Sequence, residues 1–181
     1  MVFEAHARFL IVLHAIAAAV VVGASTHQLL WCGRYLRGRF DRVGAERRFV
    51  GLTALAFLTA FLLGSALYPT YKVRVRSEYF DSPQSVFAEA QLRQEAARVR
   101  GTPPPTTANS LAWIGRLFDI KEHWVALGAA ASLVLLFLSR LAHPAQDRRF
   151  LILYWGLSLL VCGTAWTGAI IGLLTASFRS V

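Results

Sequence analysis

Four apolar blocks constrain this chain more than any other feature: Phe9–Trp31, Phe49–Tyr68, Trp124–Leu138 and Phe150–Phe178. A helix needs about 20 mainly apolar residues to cross the roughly 30 Å hydrocarbon core of a bilayer, and three of the blocks are long enough unaided. In lipid every backbone N–H and C=O must be satisfied within its own segment, so such blocks are read as helices. The expected fold is an all-α integral membrane protein with four transmembrane helices in a bundle. The spans fall at about 9–31, 49–68, 121–140 and 150–177, and one long segment, 69–120, lies outside the membrane between the second and third.

Composition agrees. The 181 residues are 56% hydrophobic and 16% charged, where a soluble domain carries about 45–50% and about 25%. The first block exceeds the roughly 7–15-residue apolar core of a signal peptide and is read as a retained span. The net charge of +9 does not point to nucleic acid, because the basic residues flank the spans and no recognition motif is present. The bilayer is the expected partner, together with other subunits of a membrane complex. Cys32 and Cys162 sit on different spans at different depths and form no CxxC pair.

Orientation follows from the loops. Arg34, Arg37, Arg39, Arg42, Arg47 and Arg48 crowd the first connection, and Arg140, Arg148 and Arg149 the last. Short Arg-rich loops stay on the cytoplasmic side, whereas long segments cross largely regardless of charge. Both termini and the 69–120 segment are therefore expected on the outer face of an energy-transducing (plasma or inner) membrane. Within that segment, YKVRVRSEYF (71–80) alternates apolar and basic residues and suggests a short extended piece. Residues 82–100 begin with Ser–Pro and end at Gly101, which suggests a helix. Asn109 is placed to cap a second amphipathic helix lying on the membrane surface.

The third block is the short one. Its 15 residues rise about 22 Å at roughly 1.5 Å each. To span, it must draw in Ile120, Lys121, Glu122 and His123 from the preceding LFDIKEHW. Ionisable groups at that depth tend to face the bundle interior or a water-filled cavity. The plainer alternative is an interfacial cluster with Trp124 as aromatic anchor.

His14 lies inside the first span at a depth close to that of His123. Haem b takes axial imidazoles, and bundles build such sites from facing helices. His14 and His123 are thus candidate haem iron ligands. Small residues on every span at this level (Ala15, Ala17, Ala18; Gly64, Ser65, Ala66; Ala126, Ala129, Ala130; Gly163, Gly168, Gly172) offer space, although GAIIG is equally a helix-packing GxxxG. A second, geometrically poorer pair is His27 and His143. His27 is about 20 Å further along the first helix than His14 and turned roughly 140° from it. Lys72, Arg74, Arg116 and Lys121 are candidates to meet haem propionates or a quinone, and Glu122, Asp119, Tyr68 and Tyr71 to take a quinol's protons.

In outline this resembles the di-haem four- or five-helix cytochrome b anchor subunits of respiratory complexes, by architecture alone and without a shared motif. The expected function is that of a membrane subunit of a respiratory or electron-transfer complex, binding haem b and passing electrons to or from quinone. The alternative is a cofactor-free accessory or scaffold subunit that docks and stabilises a larger membrane complex. No P-loop, GxSxG or HExxH marks an enzyme acting alone. Ion or proton conduction is disfavoured, because the second and fourth spans offer Thr, Ser and Tyr but no expected buried carboxylate.

Overall fold

The computed structural model describes residues 6–103, 108–143 and 147–178. Helix α1 is Ala7–Tyr35 and α2 is Val43–Tyr71, which continues directly into a π-helical segment, Lys72–Phe80. Then come α3 (Pro83–Arg100), α4 (Ala108–Leu141) and α5 (Arg148–Phe178). Four helices are long and apolar enough to cross a membrane: α1, α2 with its π-helical extension, α4 from Trp113, and α5. Their outward faces carry Leu30, Leu55, Leu62, Phe137, Leu141 and Leu173, all more than half exposed. Soluble proteins seldom leave apolar surface of that extent uncovered, and here it is the face a bilayer covers.

α1 packs against α2 and α5, and α4 packs against the same two helices. This puts α1 and α4 at opposite corners of a four-helix bundle. The core runs through Val21, Cys32, Tyr35, Val50, Phe57, Leu135, Tyr154 and Val161. Helices in lipid gain little from apolar burial against one another, so they associate through close packing at small residues. Gly128 of α4 is such a point, since a Cβ there would overlap Thr164 Oγ1 and Phe57 Cζ.

The second span does not stop at Tyr68. Pro69 lies inside α2, where it removes one N–H from the ladder, and from Lys72 the chain winds as a π-helix. The extended piece expected at 71–80 is therefore absent. Its alternation reflected Val73 and Val75, but burial selects Val75 and Phe80, five residues apart, which matches the i→i+5 repeat of a π-helix. Both pack on Ile114 and, with Tyr71, form a second core beyond the main one. The separate surface helix expected from Asn109 is also absent. Ala108–Leu141 is one helix of 34 residues, with no turn at Trp124. α2 and α4 thus extend past α1 and α5 as an antiparallel pair, locked by stacking of Tyr71 on Phe118 (centroids 3.6 Å apart, planes at 14°).

α3 crosses this extension, as its signals indicate. The N–H of Ser85 donates to Ser82 Oγ at 3.5 Å, Pro83 takes the first position, and Gly101 ends the helix at φ 65°. That left-handed conformation favours glycine. At the opposite end of the bundle, the Arg34 guanidinium forks onto both Asp41 oxygens at 3.0 Å and closes the α1–α2 loop.

Gly128→Ala is expected to lower stability in detergent by about 1–3 kcal/mol through overpacking. Gly33→Ala, whose added methyl meets nothing within 4 Å, is expected to be neutral or slightly stabilising. Thermal unfolding of both variants followed by circular dichroism checks the contrast.

Candidate functional site

At the α3 end of the bundle, two basic side chains from opposite corners turn inward. His14 on α1 lies against Gly64 of α2, where a Cβ would stand 3.2 Å from its Cε1. Its Nδ1 donates to the Ala60 carbonyl at 2.9 Å. That bond selects the tautomer with its lone pair on Nε2. Lys121 on α4 reaches across to α5, with its Nζ 3.1 Å from the place a Gly172 Cβ would occupy. The glycine makes that reach possible. The Lys121 ammonium also sits 5.4 Å from the centre of the Phe118 ring and acts electrostatically on His14. Among the described residues no carboxylate lies within ion-pairing distance of Lys121. One turn deeper, Val125 fills the space beside Gly168 at 3.1 Å.

Just beyond lies a cleft of about 240 Å³, lined by Tyr68, Tyr71, Lys72, Arg76, Ser77, Asp81 and Asp119. Arg76 bridges its two carboxylates, pairing with Asp119 of α4 and with Asp81 at 3.2 Å. Tyr71 is buried at its floor, its hydroxyl without a hydrogen-bond partner among the described residues. Glu122 stands half-buried within the field of Asp119, His123, Arg76 and Lys121.

The structure thus brings together Tyr68, Tyr71, Lys72 and Asp119, and directs Lys121 and His14 to the interior. It places the remaining candidates elsewhere. His123 is exposed on the same outward stripe as Ile120, Trp124 and Leu127, and its Nδ1 donates to the Asp119 carbonyl of its own helix at 2.8 Å. The rings of His14 and His123 therefore meet different surroundings, one in the bundle and one on its flank. His27 is exposed as well, bonded to the Gly23 carbonyl at 2.9 Å and stacked on Phe49. His143 packs against Phe40 at the other end of the last connection. Arg116 is exposed. Among the described residues no three His, Cys, Asp or Glu side chains gather as a metal site.

Two residues escaped the sequence reading. In the sequence Arg76 is one basic residue of the alternating run 71–80, and its role appears once the π-helix turns it toward α4. Glu46 stands in the sequence among the arginines of the first connection, yet it is 1% exposed. A signal was present: Glu46, Val50, Thr53, Phe57 and Ala60 repeat at spacings of four, three, four and three, and all five are buried. That is one helix face. The absence of a carboxylate from the second helix's buried face, expected from the sequence, is corrected here.

Tyr71→Ala is expected to cost about 3–5 kcal/mol, by loss of the stacked ring. Tyr71→Phe is expected to cost nothing or to stabilise, because the phenol oxygen it removes is buried without a partner. Denaturant unfolding of the two variants separates the ring from the hydroxyl. Comparison with known proteins finds no counterpart: no family model, no curated protein and no solved structure matches this chain.

Proposed function

We propose that the protein is a membrane subunit of an electron-transfer complex, with a binding place for a quinone head group between His14 and Lys121. The observation that supports this most is the inward Lys121 ammonium, set against Gly172 and bearing electrostatically on His14, with Glu122 in its field but no described carboxylate in ion-pair contact. An ionisable group at such a place in a membrane bundle is a functional site by default. The two side chains suit a quinone by type. The ammonium donates to a carbonyl oxygen, and the Nε2 lone pair of His14 accepts from a hydroxyl. Quinone chemistry supplies two electrons and two protons per head group. This chain's residues bind and orient, and they hold protons at His14 Nε2 and at the Glu122 carboxylate. Electrons leave to an acceptor on another subunit. In this reading the cleft and α3 lie on the outer side, following the arginines of the short loops.

Haem b belongs to the same reading as a further group. At both His14 and His123 the Nδ1–H is committed to a main-chain carbonyl, leaving Nε2 for iron, as haem and metal ligands require. His123 stands on the flank, so an iron bound there would be shared with a partner's helix.

The scaffold reading has its own support. Beyond the spans, α3 presents Phe87, Leu92 and Val99 at 66%, 68% and 80% exposure, apolar surface suited to a partner subunit.

The test is to purify the chain gently from native membranes, extract and quantify quinone per chain, and record oxidised and dithionite-reduced spectra. Bound quinone that falls about 10-fold or more in Lys121→Met, the scale of a lost charge-assisted hydrogen bond, is the expected result. A b-type α-band lost in His14→Ala would add haem. Protein with neither quinone nor haem overturns the electron-transfer reading and leaves the scaffold.

A further inference from the structure

The cleft beside Arg76 lies at a depth that the length of α2 defines. That helix has 29 residues, which rise about 44 Å at roughly 1.5 Å each. A bilayer with both headgroup layers is about 40–45 Å thick. With Arg42 at the start of α2 in one headgroup layer, Tyr71 and Lys72 at its end fall in the other. The same helix carries a lipid-facing track up to the cleft. Leu58, Ser65 and Lys72 stand seven positions apart, nearly in line along a helix of 3.6 residues per turn. Leu62 and Pro69 run beside them, and all five are exposed. Leu58 lies about 21 Å from Lys72 along the axis, close to the depth of one leaflet with its headgroups, roughly half the bilayer.

The cleft is lined by groups whose hydrogen-bonding capacity is only partly used. Arg76 Nε donates to Asp81 Oδ2 at 3.2 Å, and Arg76 Nη1 donates to Asp119 Oδ1. Among the described residues nothing donates to the other oxygen of either carboxylate. The Lys72 ammonium is exposed and pairs with no described carboxylate. The Tyr71 side chain is only 7% exposed, and its hydroxyl has no described partner. Buried polar groups are nearly always satisfied, so a hydroxyl of this kind calls for a reason. The site thus lacks acceptors for Tyr71 and Lys72 and donors for two carboxylate oxygens. A simple anion would leave those oxygens bare, and a simple cation would leave Tyr71 and Lys72 bare.

We infer that the cleft binds the headgroup of a phospholipid carrying both a phosphodiester and a primary ammonium, of the ethanolamine type. The phosphate accepts from the Tyr71 hydroxyl and the Lys72 ammonium. The lipid ammonium donates to the unused oxygens of Asp81 and Asp119, which Arg76 holds side by side. The acyl chains descend over Ser65, Leu62 and Leu58. A choline headgroup has no N–H to give the carboxylates, and a glycerol headgroup brings them no cation. The volume of about 240 Å³ equals that of about eight waters in the liquid, at roughly 30 Å³ each, room for a small headgroup. The inference is independent of the quinone reading, because it uses neither His14 nor Lys121.

The experiment is native mass spectrometry of the full chain, delipidated in detergent and titrated with phosphatidylethanolamine, phosphatidylcholine and phosphatidylglycerol of matched acyl chains. Phosphatidylethanolamine is expected to bind several-fold more tightly than the other two. Tyr71→Phe and Lys72→Met should each weaken it about 10-fold, the scale of a lost hydrogen bond to a charged group. Asp81→Asn should narrow its lead over phosphatidylglycerol. Equal binding of the three lipids overturns the inference, and so does wild-type affinity in both Tyr71→Phe and Lys72→Met. Displacement of the lipid by an equal concentration of water-soluble phosphoethanolamine also overturns it, by assigning the cleft to a free solute. Should Asp81→Asn not fold, the lipid comparison and Tyr71→Phe decide alone, since both leave the Arg76 bridge intact.

Discussion

Close approach of α4 to its two neighbours at Gly128 is the constraint on which the rest of the bundle depends. Thr164 of α5 and Phe57 of α2 occupy the space a side chain would take. With those three helices drawn together, α1 closes the fourth side against α2 and α5. The same economy of side-chain volume recurs towards the α3 end, where Gly64 receives His14, Gly168 receives Val125 and Gly172 receives Lys121. At His14 and Lys121, missing volume on one helix becomes room for a polar side chain from another. The small residues therefore serve both packing and chemistry, and the two roles separate only when the neighbour of each glycine is known.

The two ends of the bundle are built differently. The short-loop end is closed: Glu46, Tyr154, Tyr35 and Gln28 are all but inaccessible, the Tyr154 hydroxyl donates to Glu46, and Gln28 donates to Ser158. The α3 end is more open, with a cleft, a bridging arginine and basic groups facing the interior. A buried carboxyl, Glu46, lies at the closed end and an inward ammonium, Lys121, at the open end. Low-dielectric surroundings strengthen the field of each such group.

The extension of α2 and α4 beyond their partners explains why the segment between them is ordered largely by helices. Tyr71, Val75, Phe80 and Ile114 form a core of their own, which a pair of bare helix ends would lack. The π-helix is what aligns Val75 and Phe80 on one face, and it also aims Arg76 at Asp119.

The sequence by itself determined the four spans, their order and the capped helix α3, because hydrocarbon thickness and backbone hydrogen bonding leave an apolar run of that length few alternatives. It also located the polar cluster at the mouth of the third span, because a run of 15 apolar residues is too short to cross alone. Only the tertiary structure decided which way those groups point. Lys121, Glu122 and His123 are consecutive, yet rotation of about 100° per residue sends one into the bundle and another to its flank. The helix pairing that selects among those directions comes from residues far away in the chain, such as Gly128, Gly172 and Gly64. The same reason hid Glu46. Its neighbours in sequence are loop arginines, and its burial follows from Tyr154, more than a hundred positions later, standing on the helix that covers it.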